Sequence, residues 1–252
     1  MIHDIITWLS DSTHWSGSEG VPTRLVEHLE YSLVALLIAG LIALPLGTVI
    51  GHTGRGSFVV VAIANSFRAL PTVGLLVFFY ILLSSHIHGT GNASYLIPSE
   101  IVLILLAIPS MLTNTYAGID AVDPAVRDAA RGMGMRGGQV LWQVEIPNAL
   151  PLMFSGVRSS FLQVIATTIV TAYVGLGGLG RYLIDGLAQR DYPQMASGAV
   201  LVAVLALLID FVLAIVQRYT VSRGITGRYR RQLVPPTDQP AVTAVMAGAN
   251  EQ

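Results

Sequence analysis

The sequence contains no cysteine and no lysine, and only 12% of its 252 residues are charged. The absence of cysteine excludes disulfides, thiolate metal sites and a cysteine nucleophile. Soluble domains carry roughly 25% charged residues, so about half of the usual charge is missing. Because 53% of the residues are hydrophobic, the composition indicates a protein whose outer surface faces lipid.

No dense basic block indicates nucleic acid as a partner. The formal net charge is −1, and the 14 basic residues, all arginines, form no dense block. The N-terminal stretch Met1–Asp4 lacks the positive region of a signal peptide, so we expect no cleaved leader.

Long apolar runs dominate the chain. A helix needs about 20 apolar residues to cross about 30 Å of hydrocarbon. Five runs meet this length, over residues 30–50, 57–83, 95–117, 148–173 and 195–217. The sequence therefore predicts an all-α polytopic membrane protein of about five transmembrane helices. Its membrane domain spans 30–217 and contains one long polar loop, 118–147.

The two ends of the chain differ from this membrane domain. Residues 1–29 are acidic, and we expect a short interfacial helix there, around Ile5 to Leu9. Residues 218–252 begin with a basic segment and continue into a polar, proline-containing tail. Such a composition is typical of disorder.

The arginines predict an orientation. Nine of the fourteen lie in the turn 51–56, in the loop 118–147 and in the stretch from Arg218. The segments on the opposite side hold only three arginines, and they hold most of the carboxylates that lie outside the arginine-rich segments. By the positive-inside rule, the loop and the C-terminus are cytosolic and the N-terminus is extracytoplasmic. Five spans satisfy that parity.

The first run carries small residues at a strict interval of four: Ala35, Ala39, Ala43, Gly47 and Gly51. Small residues at this spacing let two membrane helices approach closely. Packing within one subunit is the favoured interpretation, and contact between two subunits is the alternative.

The fourth run carries polar residues at the same interval: Ser155, Ser159, Gln163, Thr167 and Thr171. Polar side chains in hydrocarbon are costly unless they face protein or water, so this stripe suits a helix that lines a hydrophilic translocation path. Asn65 and Asn114, which lie beside prolines in the second and third runs, are further candidates for the path. The alternative is that each hydroxyl bonds back to its own helix.

Two ionisable residues inside the spans, Arg158 and Asp210, should lie at similar depth. We predict that they form a buried ion pair, and the alternative is that Arg158 extends toward the interface.

Two patterns resemble catalytic or ligand motifs but lack the required context. The segment from Gly175 to Gly180 fits the dinucleotide pattern, yet it follows a membrane span rather than a β-strand. A flexible or tightly turned external loop is the better interpretation. His86 and His88 have no carboxylate or cysteine nearby, so no metal site is expected. No catalytic residue is expected either.

The loop 118–147 holds the most specific pattern. Asp123-Pro124 predicts a helix start, and two short helices are expected on either side of the glycine cluster. Asp128-Ala129-Ala130 is followed after three residues by Gly134, and after nine more by Val144-Glu145-Ile146-Pro147. This spacing resembles the cytoplasmic signature of permeases of binding-protein-dependent ABC importers, E-A-A, three residues, G, nine residues, I-x-L-P. The differences are Asp128, Val144 and Ile146 in place of Glu, Ile and Leu.

The resemblance extends over residues 25–220, and it points to the osmoprotectant branch of these importers. The supporting segments are His28-Leu29 with Ser32, Pro45-Leu46-Gly47, Leu70-Pro71-Thr72, Asn114 to Ile119, Gly156-Val157-Arg158 and Gly175 to Gly180. Arg68 departs from the pattern.

The resemblance implies a type I permease fold in the cell membrane and import of glycine betaine, carnitine, choline or a related quaternary ammonium compound by alternating access. It implies that the 118–147 loop, through Asp128, Ala129, Ala130, Gly134, Val144, Ile146 and Pro147, couples transport to ATP hydrolysis. The implied partners are two ATP-binding cassette subunits, a second permease (the same chain or a paralogue) and an extracytoplasmic substrate-binding protein. The chain itself is expected to bind no cofactor, since ATP and Mg are used by the partner ATPase.

Two alternatives remain open at this point, and a third is set aside. An importer of an amino acid such as methionine would share the loop and the span count. A secondary transporter would have no use for the Asp128–Pro147 signature. A membrane-embedded enzyme would need clustered histidines or carboxylates in the spans, and the sequence has none.

Overall fold

The computed structural model describes residues 2–87 and 92–220, without the side chains of residues 59–61, 63, 65 and 68. The predicted tail, His88 and the side chains of Asn65 and Arg68 therefore lie outside the described part. Within it, every regular element is a helix. The α-helices are α1 Ile2–Ser10, α2 Val21–Thr53, α3 Ser57–Ala69, α4 Thr72–Ser84, α5 Ala93–Asp120, α6 Pro124–Gly132, α7 Gly137–Val140, α8 Ile146–Thr171, α9 Gly180–Gln189 and α10 Tyr192–Thr220. The fold is all-α, as the sequence predicts.

Four helical segments in the described ranges are long and apolar enough to cross a membrane: α2, α5, the continuous stretch Gly137–Val174 that contains α7 and α8, and α10. Each has at least 28 residues, more than the roughly 20 that a bilayer requires.

The predicted second span, 57–83, is not one continuous helix. It forms α3 and α4, of 13 residues each, and each helix is about 20 Å long, short of the hydrocarbon thickness. The break lies at Leu70-Pro71, because proline has no N–H and disfavours helical backbone in the residue before it. Leu70 is accordingly extended, with φ −75° and ψ 133°. The prediction of five continuous spans is therefore corrected: the described residues form four long helices and one pair of short helices, α3 and α4.

The contacts give the relative direction of the long helices. Gly47 and Gly51 of α2 meet Thr115 and Ile119 of α5 in the same order, so these two helices run parallel. Helix α8 meets α5 in reverse order, and Ser160 donates to Ala107. The chain therefore has to return between α2 and α5, and the segment that connects them contains α3 and α4.

The small residues of α2 form the centre of this packing. Ala35, Ala39 and Ala43 are fully buried. A Cβ atom on Gly47 would lie 2.8 Å from the Cβ of Thr115, and one on Gly51 would lie 2.6 Å from the Cβ of Ile119. The stripe therefore packs against α5 within the chain, which confirms the favoured interpretation.

This close approach leads to a matched pair of substitutions in α2. We expect Gly51→Ala to destabilise the chain by about 1–3 kcal/mol, because the added methyl group overlaps Ile119 and the core must shift. Gly40→Ala adds the same group where the nearest atom, the Sδ of Met111, lies 3.9 Å away. Thermal unfolding in detergent, followed by size-exclusion chromatography, measures both variants. An equal loss of Tm in both would contradict the packing account.

The predicted N-terminal helix is present as α1, which packs on α10. Its Trp8 stacks on His14 with ring centroids 4.0 Å apart and meets Tyr182 of α9 edge to face at 5.3 Å. Tyr182 also donates a hydrogen bond to the carbonyl of Glu19. These contacts join α1, α9 and the start of α2 at one end of the bundle.

Candidate functional site: the loop between α5 and α8

Helix α6 starts where the sequence predicts. The carboxylate of Asp123 accepts a hydrogen bond from the backbone N–H of Ala125 at 2.9 Å, and Pro124 is the first helical residue. Asp128 and Ala129 are exposed, whereas Ala130 is buried. The helix therefore presents a short outer face to which a partner has access.

The end of α6 depends on Gly134. The N–H of Met135 donates to the carbonyl of Ala130, and the N–H of Gly134 donates to that of Arg131. This is the Schellman arrangement, which requires a left-handed residue after the helix. Gly134 has φ +87°, and a Cβ atom there would meet nothing within 4 Å. The glycine is thus needed for its backbone conformation and not for space.

The second short helix predicted in the loop is not separate. Helix α7 continues through a single π-helical turn, Leu141–Glu145, directly into α8. Pro147 explains the widened turn, because its ring would clash with the carbonyl four residues earlier in a regular helix. The helix that contains the predicted fourth span therefore begins at Gly137, before residue 148. Val144, Ile146 and Pro147 lie half-buried around this turn.

A cluster of ionisable residues beneath α6 has no counterpart among the predictions from the sequence. Glu145 is only 1% exposed, and its Oε2 lies 2.6 Å from Nδ1 of His52 at the end of α2. Its Oε1 lies 2.9 Å from Nε of Arg127 in α6, an ion pair without an aligned hydrogen bond. We call Glu145, His52 and Arg127 the Glu145 cluster. Glu145 fills the unspecified position of the loop signature, so the signature gives no reason to select it.

The predicted polar stripe of α8 winds around the helix. Ser155 and Ser159 are exposed, Gln163 and Thr167 are half-buried, and Thr171 is buried. The hydroxyl of Thr167 donates to the carbonyl of Gln163 at 2.6 Å, and that of Thr171 donates to the carbonyl of Thr168 at 2.8 Å. The two threonines thus bond back to their own helix, which is the alternative to lining a path. Ser155 and Ser159, by contrast, are exposed.

Other polar groups of α8 bind neighbouring helices. Ser160 donates to the carbonyl of Ala107 in α5, and the hydroxyls of Thr168 and Ser32 lie 3.0 Å apart. Nε2 of His28 lies 3.0 Å from the carbonyl of Ile165. Asn114, a predicted path residue, donates to the carbonyl of Ser110 in its own helix. The translocation path stays a prediction.

Arg158 and Asp210 lie in contact between α8 and α10. Nε of Arg158 is 2.5 Å from Oδ1 of Asp210, and Nη2 is 2.7 Å from Oδ2. The two side chains are 36% and 29% exposed, so the pair is half-buried among the described residues of this chain, and its burial in the membrane stays a prediction. Its exposed side is open because the other described helices cover little of α10.

The glycine-rich loop after α8 is tightly turned. Gly175 and Gly178 have φ +97° and +89°. The backbone N–H of Gly178 donates to Oε2 of Glu27 at 2.8 Å, and Arg24 contacts both Glu27 and Glu19. The loop is therefore anchored to the start of α2, at the end of the bundle opposite α6.

A family model decides the identification. The model described as "Binding-protein-dependent transport system inner membrane component" matches residues 43–224. The chain belongs to this family. This member of the family is therefore a transport permease component and a multi-pass membrane protein, and not a catalytic enzyme.

Individual relatives of this permease cover most of the chain. The glycine betaine/carnitine/choline transport system permease protein OpuCB of Bacillus subtilis is 33% identical over 201 residues, which is 80% of this chain and 88% of the relative. The choline transport system permease protein OpuBB of the same organism is 33% identical over 80% of this chain and 89% of its own length. The osmoprotectant import permease protein OsmW of Salmonella typhimurium is 31% identical over 79% of this chain and 91% of its own.

A solved structure supports the fold of the permease. The inward-facing MetNI methionine ABC transporter contains a chain that aligns with a TM-score of 0.67 at 23% identity. The alignment covers 80% of this chain and 96% of that one. At this identity the likeness establishes the fold.

Proposed function

We propose that the chain is the membrane-spanning subunit of an ATP-driven importer of a quaternary ammonium solute such as glycine betaine, carnitine or choline. The observation that carries this proposal is the 33% identity over 80% of the chain to a permease named for these three solutes. The loop geometry supports it, since α6 has the cap, the exposed alanine and the glycine stop that a coupling helix needs.

The coupling step belongs to α6. Its exposed residues Asp128 and Ala129 form a narrow surface that fits a groove on an ATPase, while Ala130 packs inward. Two ATP-binding subunits bind ATP and Mg and hydrolyse the nucleotide. Their closure moves α6, and the helices connected to α6 change the access of the solute in a rigid-body transition.

We infer the orientation from the arginines, and the parallel course of α2 and α5 supports it. The broken pair α3–α4 makes one crossing, which gives five crossings in all. Arg127, Arg131 and Arg136 then lie at the cytosolic end, while Glu19 and Glu27 lie at the outer end with the N-terminus. This charge distribution obeys the positive-inside rule. Residues 1–29 are then extracytoplasmic, and the stretch from 218 is cytosolic.

The remaining partners complete the transporter. A second permease, either the same chain or a paralogue, faces α8, where Ser155 and Ser159 are exposed and available to line the path. A separate extracytoplasmic binding protein selects the solute. Recognition of a trimethylammonium group by aromatic rings is a property of that protein.

Uptake measurements test the substrate class. The chain is expressed with its ATP-binding and solute-binding partners in a bacterial strain that lacks osmolyte uptake. We expect saturable uptake of labelled glycine betaine, choline or carnitine. Unlabelled methionine should not inhibit this uptake. Uptake of methionine with no response to quaternary ammonium compounds would contradict the proposal.

A further inference from the structure

The Glu145 cluster joins every helix that meets the loop. His52 belongs to the last turn of α2, Arg127 belongs to α6, and Glu145 ends the π turn that leads into α8. Nη2 of Arg127 also donates to the carbonyl of Ile119 in the last turn of α5, at 2.5 Å. One buried carboxylate therefore connects α2, α6 and α8 directly, and it connects α5 through Arg127.

The position of Arg127 relates this cluster to the outer face of α6. Arg127 is the direct neighbour of Asp128 in the sequence, yet its guanidinium points inward, with a side chain only 18% exposed. Asp128 and Ala129 point outward. The side of α6 that holds Glu145 is thus opposite to the side that is open to a partner, so the cluster lies behind the surface that a partner would contact.

The His52 ring closes the cluster toward α7. Its Nε2 lies 3.8 Å from the position that a Cβ atom on Gly137 would occupy, so the ring fills the space between α2 and the start of α7. Its other nitrogen contacts Glu145. A buried carboxylate held by two basic partners is expensive to separate from them, so the cluster holds the connected elements together.

We propose that Glu145 is a positioning residue for coupling, which fixes α6 against α2 and α8 so that movement of α6 turns these helices. This role rests on the proposed function, in which α6 receives the motion of an ATPase. Glu145 acts through its contacts with Arg127 and His52.

Spin-label distances test the positioning directly. The chain has no cysteine, so Ala125→Cys in α6 and Thr53→Cys at the end of α2 supply the only thiols, and both residues are exposed. The doubly labelled full chain is diluted with unlabelled chain in lipid nanodiscs, which isolates distances within one subunit. We expect one narrow distance distribution in the parent chain and a clearly broader or shifted one after Glu145→Gln.

Matched variants make this result specific. Asp120→Asn removes an exposed carboxylate at the end of α5, and it should leave the distribution unchanged. Arg127→Gln leaves Glu145 with His52 and should broaden the distribution as Glu145→Gln does, which provides a second test should the first variant fold poorly. An unchanged distribution in a folded Glu145→Gln or Arg127→Gln chain overturns the proposal, whatever the transport activity.

The ratio of ATP hydrolysed to solute imported, measured in the assembled complex, separates the two claims. With Glu145→Gln we expect normal co-purification of the ATP-binding subunit, retained hydrolysis and a raised ratio, because α6 then moves without turning α2 and α8. A broadened distance distribution together with an unchanged ratio of ATP hydrolysed to solute imported would overturn the coupling role. Failure of the proposed function appears separately, as ATP-independent uptake by the unmodified transporter.

Discussion

Asp210→Asn alone should reduce the amount of folded chain in the membrane severalfold. The substitution leaves Arg158 without its counter-charge between α8 and α10, midway along the membrane helix α8. An unpaired arginine at the centre of a membrane helix costs about 2.5–3.5 kcal/mol on insertion scales. Quantitative blotting of membrane fractions, with detergent gel filtration of the extracted chain, measures the effect.

The double variant Arg158→Gln with Asp210→Asn is the control for this prediction. It removes both charges and keeps groups that can hydrogen-bond, so the folded amount should recover toward that of the parent chain. Full expression of the single variant would show that the pair contributes nothing to folding, and Arg158 would then have another partner in the assembled transporter.

Gly134→Ala should lower solute uptake about tenfold while the chain remains folded in the membrane. The added methyl group has free space, but a left-handed backbone costs an L residue about 1–2 kcal/mol, and 1.4 kcal/mol corresponds to a factor of ten in population. In the chains that leave this backbone conformation, the Schellman hydrogen bonds from Gly134 and Met135 are lost, so α6 no longer ends in the turn at residue 134. Radiolabelled uptake normalised to membrane-inserted chain measures the loss.

Gly132 offers a matched control two residues away. It also has free space around a Cβ atom, but it lies inside α6 with no positive φ. Gly132→Ala should therefore keep uptake near that of the parent chain and favour the helix slightly. Equal losses in both alanine variants would show that the loop senses side-chain bulk and not the backbone turn at Gly134.

Some features were predictable because their cause is local in the sequence. The four long helices follow from apolar runs, the start of α6 follows from Asp123-Pro124, and the turn at Gly134 follows from a glycine at a fixed spacing. It was predictable that the α2 stripe packs against another helix, since small residues at every fourth position let membrane helices approach closely. Its partner residues, Thr115 and Ile119, could be found only in three dimensions.

Other features depend on contacts between residues that lie far apart in the sequence. The proline in 57–83 indicates a kink, but whether Pro71 bends one helix or separates two depends on the packing of α3 and α4 against α5. The Glu145 cluster brings together residues 52, 127 and 145 from three elements, and only the burial of a lone glutamate next to a membrane entry could have drawn attention to it. The half-exposure of the Arg158–Asp210 pair depends on which helices cover α10, which the sequence does not specify.

Uptake into proteoliposomes tests the central claim most directly. The chain is reconstituted with its ATP-binding subunits, the binding protein is added outside, and labelled glycine betaine is followed with ATP and Mg enclosed in the lumen. The account predicts uptake that requires enclosed ATP and falls about tenfold with Gly134→Ala. Equal uptake with enclosed ADP, or uptake driven by an ion gradient alone, would contradict it.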